Sequence, residues 1–80
     1  MSYPDNYVKA GPVSRQAAID YISANVRFPG DPDTRDAAIR LIGKADQAFT
    51  GMSARTISDG RQLWVSALLT IPGKYMIEIE

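Results

Sequence analysis

Residues 62–71, QLWVSALLTI, form the longest β-favouring run in the chain, and turn signals flank the run on both sides. Successive residues of a strand point to opposite sides of a sheet, so this run divides into two faces. One face is wholly apolar, and the other carries Trp64 and Leu68 and is also rather apolar. Strands that are apolar on both faces are typical of the middle of a sheet, so we predict a central strand here.

The composition of the 80-residue chain limits the chemistry that it can perform. It contains no cysteine and no histidine, which excludes disulfides and thiolate metal sites and removes the commonest general base and metal ligand. No base or metal cluster accompanies the remaining serines, tyrosines and carboxylates. We therefore predict a protein that is not an enzyme and that binds no cofactor or metal.

Charge and hydropathy bear on the partners of the chain. Nine Lys and Arg residues balance nine Asp and Glu residues, whereas a nucleic-acid-binding protein usually carries a basic excess. No apolar run approaches the roughly 20 residues of a transmembrane helix. The N-terminus lacks the charged and apolar parts of a signal peptide. We expect a cytoplasmic protein without a membrane partner.

Two amphipathic helices are predicted before the strands. The first follows Ser14, a favourable N-cap, and runs to about Val26. The second begins with Asp31 as N-cap and Pro32 at the first helical position, and it runs to about Phe49. Its apolar side chains are Ala37, Ala38, Leu41, Ile42, Ala45, Ala48 and Phe49. The Asp-rich start lacks the glycine and the distal glutamate of a calcium loop, so capping is favoured over metal binding.

After the second helix the apolar period changes from 3.6 to 2, which indicates strands. The Asp-Gly pair at residues 59–60 favours a two-residue hairpin turn of type I′. That turn would place Arg55 opposite Trp64, with Ile57 on the same face and pointing away from the helices.

A second turn at residues 72–73 precedes KYMIEIE, in which Tyr75, Ile77 and Ile79 share one face. A two-residue loop would put the glutamates of this strand beneath the helices. A loop one residue longer would oppose Ala67 with Ile79 and keep the helix-covered face apolar, so we predict the longer loop.

Together these elements predict an α+β fold in a single domain over residues 1–80. Residues 1–11 would form an extended arm, and residues 12–80 would form an ααβββ body. The αα hairpin would pack on one face of a three-stranded antiparallel β-meander and leave the second face open. A domain of this size buries only about two thirds of its unfolded surface, so association would stabilise it.

The open face and the arm carry the candidate interaction residues, which are Trp64, Arg55, Ile57, Leu68, Met76, Tyr3 and Tyr7. Arg55 would either stack on Trp64 within the protein or form a binding surface with it, because aromatic, Met and Arg side chains are enriched in interface cores. The two tyrosines would either cover the core of the domain or contact a partner.

Three functions are compatible with these features. The leading hypothesis is a small protein-binding module that occupies a surface of another protein, as an inhibitor or adaptor; in size alone it resembles accessory proteins of phages and mobile elements. The alternative is a structural subunit that forms a homo-oligomer through the open sheet face. The third is a binder of single-stranded nucleic acid or nucleotides, with bases on Trp64 and phosphates on Arg55, Arg61 and Lys74. The glutamates of the last strand would repel phosphate.

We predict that Leu41→Ala and Val65→Ala each lower the free energy of unfolding by roughly 2–5 kcal/mol, because both side chains belong to the predicted core. Gln47→Ala lies on the polar side of its helix and should change stability by less than about 0.5 kcal/mol. Urea unfolding measures all three. Unchanged midpoints for both core variants would contradict the two-layer assignment.

Overall fold

A computed structural model describes residues 7–80. The elements in chain order are β1 (Val8–Ser14), α1 (Arg15–Asn25), α2 (Thr34–Gln47), β2 (Met52–Thr56), β3 (Gln62–Ala67) and β4 (Lys74–Ile79). The strands form one antiparallel sheet in the order β1-β4-β3-β2, and both helices pack on one face of it. The predicted α+β class is confirmed. The sheet has four strands instead of three, and the additional strand precedes the helices.

The additional strand, β1, includes residues 8–11, which the sequence pattern assigned to an extended arm. It pairs with β4 and forms one edge of the sheet, and its register shifts between Ala10 and Val13. Gly11 lies in this irregular segment with φ 122°, and a Cβ there would come within 2.6 Å of the Tyr75 carbonyl oxygen. Pro12 removes a backbone donor, which an edge strand tolerates. Because Gly11 and Pro12 interrupt β1, its sequence lacks the regular alternation of apolar and polar residues that would have predicted a strand.

The helix starts show one agreement and one correction. Ser14 caps α1 as predicted. The cap of α2 is Asp33 and not Asp31, because a first-turn amide of α2 donates to Asp33 Oδ1 over 3.0 Å and the helix begins at the next residue. The carboxylate of Asp31 instead forms ion pairs with Arg40 and Arg55.

The pairing of β2 with β3 differs by one residue from the predicted register. Trp64 lies opposite Ala54, and a five-residue segment, 57–61, replaces the two-residue turn. Within it, the backbone N–H of Arg61 donates to Asp59 and holds the pKa of that carboxyl below its usual range. A shift of one residue turns every β2 side chain to the opposite face. Ile57 is therefore in the core, with 3% of its surface exposed.

The pairing of β3 with β4 keeps the predicted faces but not the predicted register. Ala67 lies opposite Tyr75, four residues from the expected partner, and β3 ends at Ala67. Successive side chains of a strand point to opposite faces, so a displacement by four residues, an even number, leaves the same side chains facing the helices. Residues 68–73 form a loop that is closed by hydrogen bonds between Leu68 N–H and the Lys74 carbonyl and between Lys74 N–H and the carbonyl of Ile71.

One apolar core lies between the helices and the sheet. Its buried members include Ala18, Ile19, Ile22, Val26, Phe28, Ala37, Ala38, Leu41, Ile42, Ala45, Ile57, Leu63, Val65, Tyr75, Ile77 and Ile79. Phe49, which the helical pattern placed in this core, is fully exposed because α2 ends at Gln47 and the chain turns at Gly51 with φ 72°.

A polar network joins α1, α2 and β4 beside the core. Tyr75 Oη donates to Asp46 Oδ1 over 2.8 Å, and Arg15 Nη1 donates to Asp46 Oδ2 over 2.7 Å. Burial raises the pKa of Tyr75, and its hydrogen bond to Asp46 raises it further. The pKa of Arg15 is raised by its hydrogen-bond interaction with Tyr75. The carboxylate of Asp46 therefore accepts hydrogen bonds from a neutral phenol and from a charged guanidinium at the same time.

We predict that Ile57→Ala lowers the free energy of unfolding by roughly 2–5 kcal/mol, because the observed register buries this side chain. The neighbouring Thr56→Ala serves as control and should cost less than about 0.5 kcal/mol, since Thr56 is exposed. Chemical denaturation compares the two variants. Equal, small effects would indicate that Ile57 lies on the open face, as the two-residue turn requires.

Candidate functional site

The face of the sheet opposite the helices is formed by alternate side chains from the strands. We call it the open face. The registers arrange these side chains in rows about 7 Å apart along the strands. The rows are Met52, Ser66 and Met76; then Ala54, Trp64, Glu78 and Lys9; then Thr56, Gln62 and Glu80.

A shallow hollow of about 210 Å³ lies on the open face around Trp64, and it is lined by Met52, Trp64, Glu78 and Glu80. The indole N–H of Trp64 donates to Glu80 Oε1 over 3.0 Å. Tyr7 Oη donates to Glu78 Oε2 over 2.5 Å. Two aromatic side chains therefore orient the two carboxylates of this hollow.

Exposed apolar side chains gather at one end of the sheet, in the loops 48–51 and 68–73 and at the first residue of β2. They are Phe49, Met52, Leu69 and Ile71, and we call them the apolar end. Phe49 is fully exposed and Leu69 is 79% exposed. The two loops lie against each other, since Ala67 N–H donates to the Gly51 carbonyl and a Cβ at Gly51 would lie 3.7 Å from Leu69 Cδ2.

The apolar end and the open face form one continuous surface, because Met52 belongs to both. From the loops, the surface passes over the row of Met52 and Met76 to Trp64 and then to Glu78 and Glu80. Along the strands, the surface therefore passes from exposed apolar side chains to the two carboxylates beside Trp64.

The structure brings some of the predicted interaction residues together and separates others. Trp64, Met76 and Tyr7 lie on the open face. Leu68 lies in the loop after β3 and is half-buried. Tyr3 lies outside the described residues.

The predicted placement of Arg55 and Ile57 on the open face is wrong, because the one-residue shift of β2 directs both towards the helices. The guanidinium of Arg55 stacks over the ring of Phe28, 4.7 Å from its centroid, and not on Trp64. It also donates to the Pro29 carbonyl over 3.2 Å and pairs with Asp31 over 3.4 Å. Arg55 therefore ties β2 to the segment between the helices.

Sequence reasoning missed the exposed residues Phe49, Leu69 and Ile71, which it assigned to the helical arc and to the buried face of a longer strand. Each of the three lies within three residues of a turn glycine or proline. That proximity was the available signal, since apolar residues next to a chain reversal often lie outside the regular element.

Larger hollows occur beside the helices, but their polar groups are already bound. One of them, of about 580 Å³, lies between the end of α1 and the start of α2. Around it, Asp33 caps α2, Arg35 pairs with Asp20, and Arg27 donates to backbone carbonyls. Among residues 7–80, no group of three or more Asp or Glu side chains could hold a metal ion.

No protein-family model, curated protein or solved structure matches the chain. Within the described part of the chain, neither helix has the length and apolarity needed to cross a bilayer. The surface formed by the open face and the apolar end is therefore the feature from which a function can be inferred.

The two phenylalanines provide a matched test of this surface. We predict that Phe49→Ser changes the free energy of unfolding by less than about 0.5 kcal/mol, because the side chain is fully exposed. Phe28→Ser should cost roughly 3–5 kcal/mol, because the ring is buried beneath Arg55. Thermal and urea unfolding measure both. A large loss for Phe49→Ser would place this ring in the core.

Proposed function

We propose that the protein is a small, non-enzymatic, cytoplasmic protein-binding module that occupies a surface of another protein, as an inhibitor or adaptor. The observation that carries this proposal is the continuity of the apolar end with the open face around Trp64. The side chains of the apolar end are large, apolar and exposed, and they lie in two neighbouring loops and at the start of β2, next to the open face. Such patches on small proteins mark sites of interaction with other macromolecules.

The residue types of this surface suit a protein interface. Aromatic and methionine side chains are enriched in interface cores, and tryptophan is enriched among the residues that carry most of the binding energy. Transfer of a side chain such as that of Phe49 or Leu69 from water into an interface contributes about 1.5–3 kcal/mol. Several such side chains in one patch supply a substantial driving force for association.

The same surface bears on the two other functions. A homo-oligomer would bury the apolar end against a second copy, and sedimentation of the pure protein measures this directly. A nucleic-acid platform is less well supported by the open face, because Arg55 lies on the helix side while Glu78 and Glu80 lie beside Trp64. Carboxylates in this position repel phosphate.

The test combines affinity capture with quantitative binding. The parent protein and a Phe49→Ser/Leu69→Ser variant are used as bait in a lysate of the source cells, and the protein retained by the parent alone is purified and titrated. We predict that Trp64→Ser weakens its binding by about 2 kcal/mol or more, roughly 30-fold, while the variant retains its fold.

Ile39→Ser is the matched control, because Ile39 is an exposed isoleucine on α2, away from the proposed surface. It should bind as the parent does. Equal retention of all proteins by parent and Phe49→Ser/Leu69→Ser bait would contradict the proposal. A Trp64→Ser variant that melts far below the parent would show that Trp64 maintains the fold and would remove it from the interface.

A further inference from the structure

The carboxylates between residues 7 and 80 divide into two groups according to their partners. On the helix side and in the turn at 57–61, five aspartates pair with arginine and one caps a helix; they are Asp20, Asp31, Asp36, Asp46, Asp59 and the cap Asp33. On the open face, Glu78 and Glu80 accept hydrogen bonds from Tyr7 and Trp64. Neither glutamate takes part in an ion pair within the described residues.

The part of the open face around Trp64 therefore carries two carboxylates that take part in no ion pair among the described residues. Lys9 lies across the strands from Glu78, and Lys74, which precedes Met76 on β4, lies on the same face at the other end of the strand. In the two rows that contain Trp64 and Glu80, the charges of Lys9, Glu78 and Glu80 sum to −1. An ionised carboxylate offers about four acceptor positions, and the aromatic donors use one on each. Among residues 7–80 no other hydrogen-bond donor is bound to either carboxylate, so a donor that enters the hollow around Trp64 meets further acceptor positions on both.

We infer that this hollow binds a lysine or arginine side chain presented by the partner protein, an inference that rests on the function proposed above. A cation there interacts with the face of the indole, the aromatic ring that binds cations best. It also forms charge-assisted hydrogen bonds with Glu78 or Glu80. The indole N–H of Trp64 holds one of these carboxylates beside the ring before the partner arrives.

The size and the position of the hollow indicate what kind of partner segment it can bind. At about 210 Å³ the hollow is smaller than the roughly 300–1,000 Å³ of small-molecule sites, so it accommodates a side chain better than a cofactor. The row of Met52 and Met76 lies about 7 Å from Trp64 along the strands, and the apolar end follows. The segment of the partner protein that binds here therefore carries an apolar side chain beside a basic one.

A second copy of this chain fits the hollow less well than a basic partner. In a face-to-face dimer with twofold symmetry, the same patch meets itself, so Glu78 and Glu80 of both copies would share one interface. The six arginines of the described residues bind carboxylates or carbonyls of their own chain, whereas Lys9, Lys44 and Lys74 take part in no ion pair among those residues. Lys9 already lies across from Glu78 of its own chain, and Lys74 lies at the opposite end of β4. The arrangement of charges around the hollow therefore favours a different protein that presents a Lys or Arg next to Glu78 and Glu80.

The experiment selects ligands from a random peptide library displayed on phage, with the parent protein as bait and the Phe49→Ser/Leu69→Ser variant as counter-selection. The enriched peptides are synthesised and titrated against the fluorescence and the indole N–H resonance of Trp64, the only tryptophan. We predict that they carry Lys or Arg beside apolar residues. Replacing the basic residue with citrulline or norleucine should weaken binding about 5- to 30-fold, as expected for one or two exposed charge pairs.

A Glu78→Gln/Glu80→Gln variant should bind the parent peptides more weakly by the same factor. Its amide oxygens still accept hydrogen bonds from Tyr7 and Trp64, but they carry no charge. Asp20→Asn/Asp36→Asn is the matched control, since it removes two exposed carboxylates from the helices. It should bind the peptides as the parent does.

The outcomes separate the two proposals. Peptides that need Phe49 and Leu69 but bind the Glu78→Gln/Glu80→Gln variant unchanged would overturn the basic partner and leave the binding module standing. Failure to retain any peptide better than the counter-selection variant would overturn both. A stable dimer of the parent that Trp64→Ser dissociates would assign the hollow to a second copy and overturn the inference.

Discussion

The antiparallel pairing of β3 with β4 is the constraint on which the rest of the structure depends. It places Leu63 and Val65 opposite two isoleucines of β4, and all four side chains are buried. This apolar surface is what the helices cover, α2 over β3 and α1 over β4. Because successive residues point to opposite sides, burial of these side chains leaves Trp64 and Glu78 on the open face.

The character of that face depends on the register of β2. A shift of one residue withdraws Arg55 to the helix side, where it binds Phe28 and Asp31 and anchors the edge of the sheet. The open face thereby loses its arginine and keeps its glutamates. The placement of two carboxylates beside an aromatic ring, with no arginine of the described residues next to them on this face, is thus a consequence of how the opposite side packs. The loops that end α2 and β3 add exposed apolar side chains to this surface.

The sequence by itself determined the α+β class, both helices and the core-facing residues of β3 and β4. These features depend on local periodicity, which a change of register by four residues leaves intact. It also determined that Trp64 and Met76 share the face away from the helices, since they alternate with the core residues of their strands. The cap at Ser14 was predictable for the same reason, because capping is a contact within one helical turn.

Only the tertiary structure decided the edge strand β1, the register of β2 and the ends of α2 and β3. Gly11 and Pro12 interrupt the alternation of β1, and its pairing with β4 joins opposite ends of the chain. The Asp-Gly pair at 59–60 accommodates a two-residue or a five-residue connection, and burial of Ile57 together with the contacts of Arg55 favours the longer one. Registers are set by contacts between residues far apart in sequence, and a local pattern contains no information about which of several distant partners completes the core.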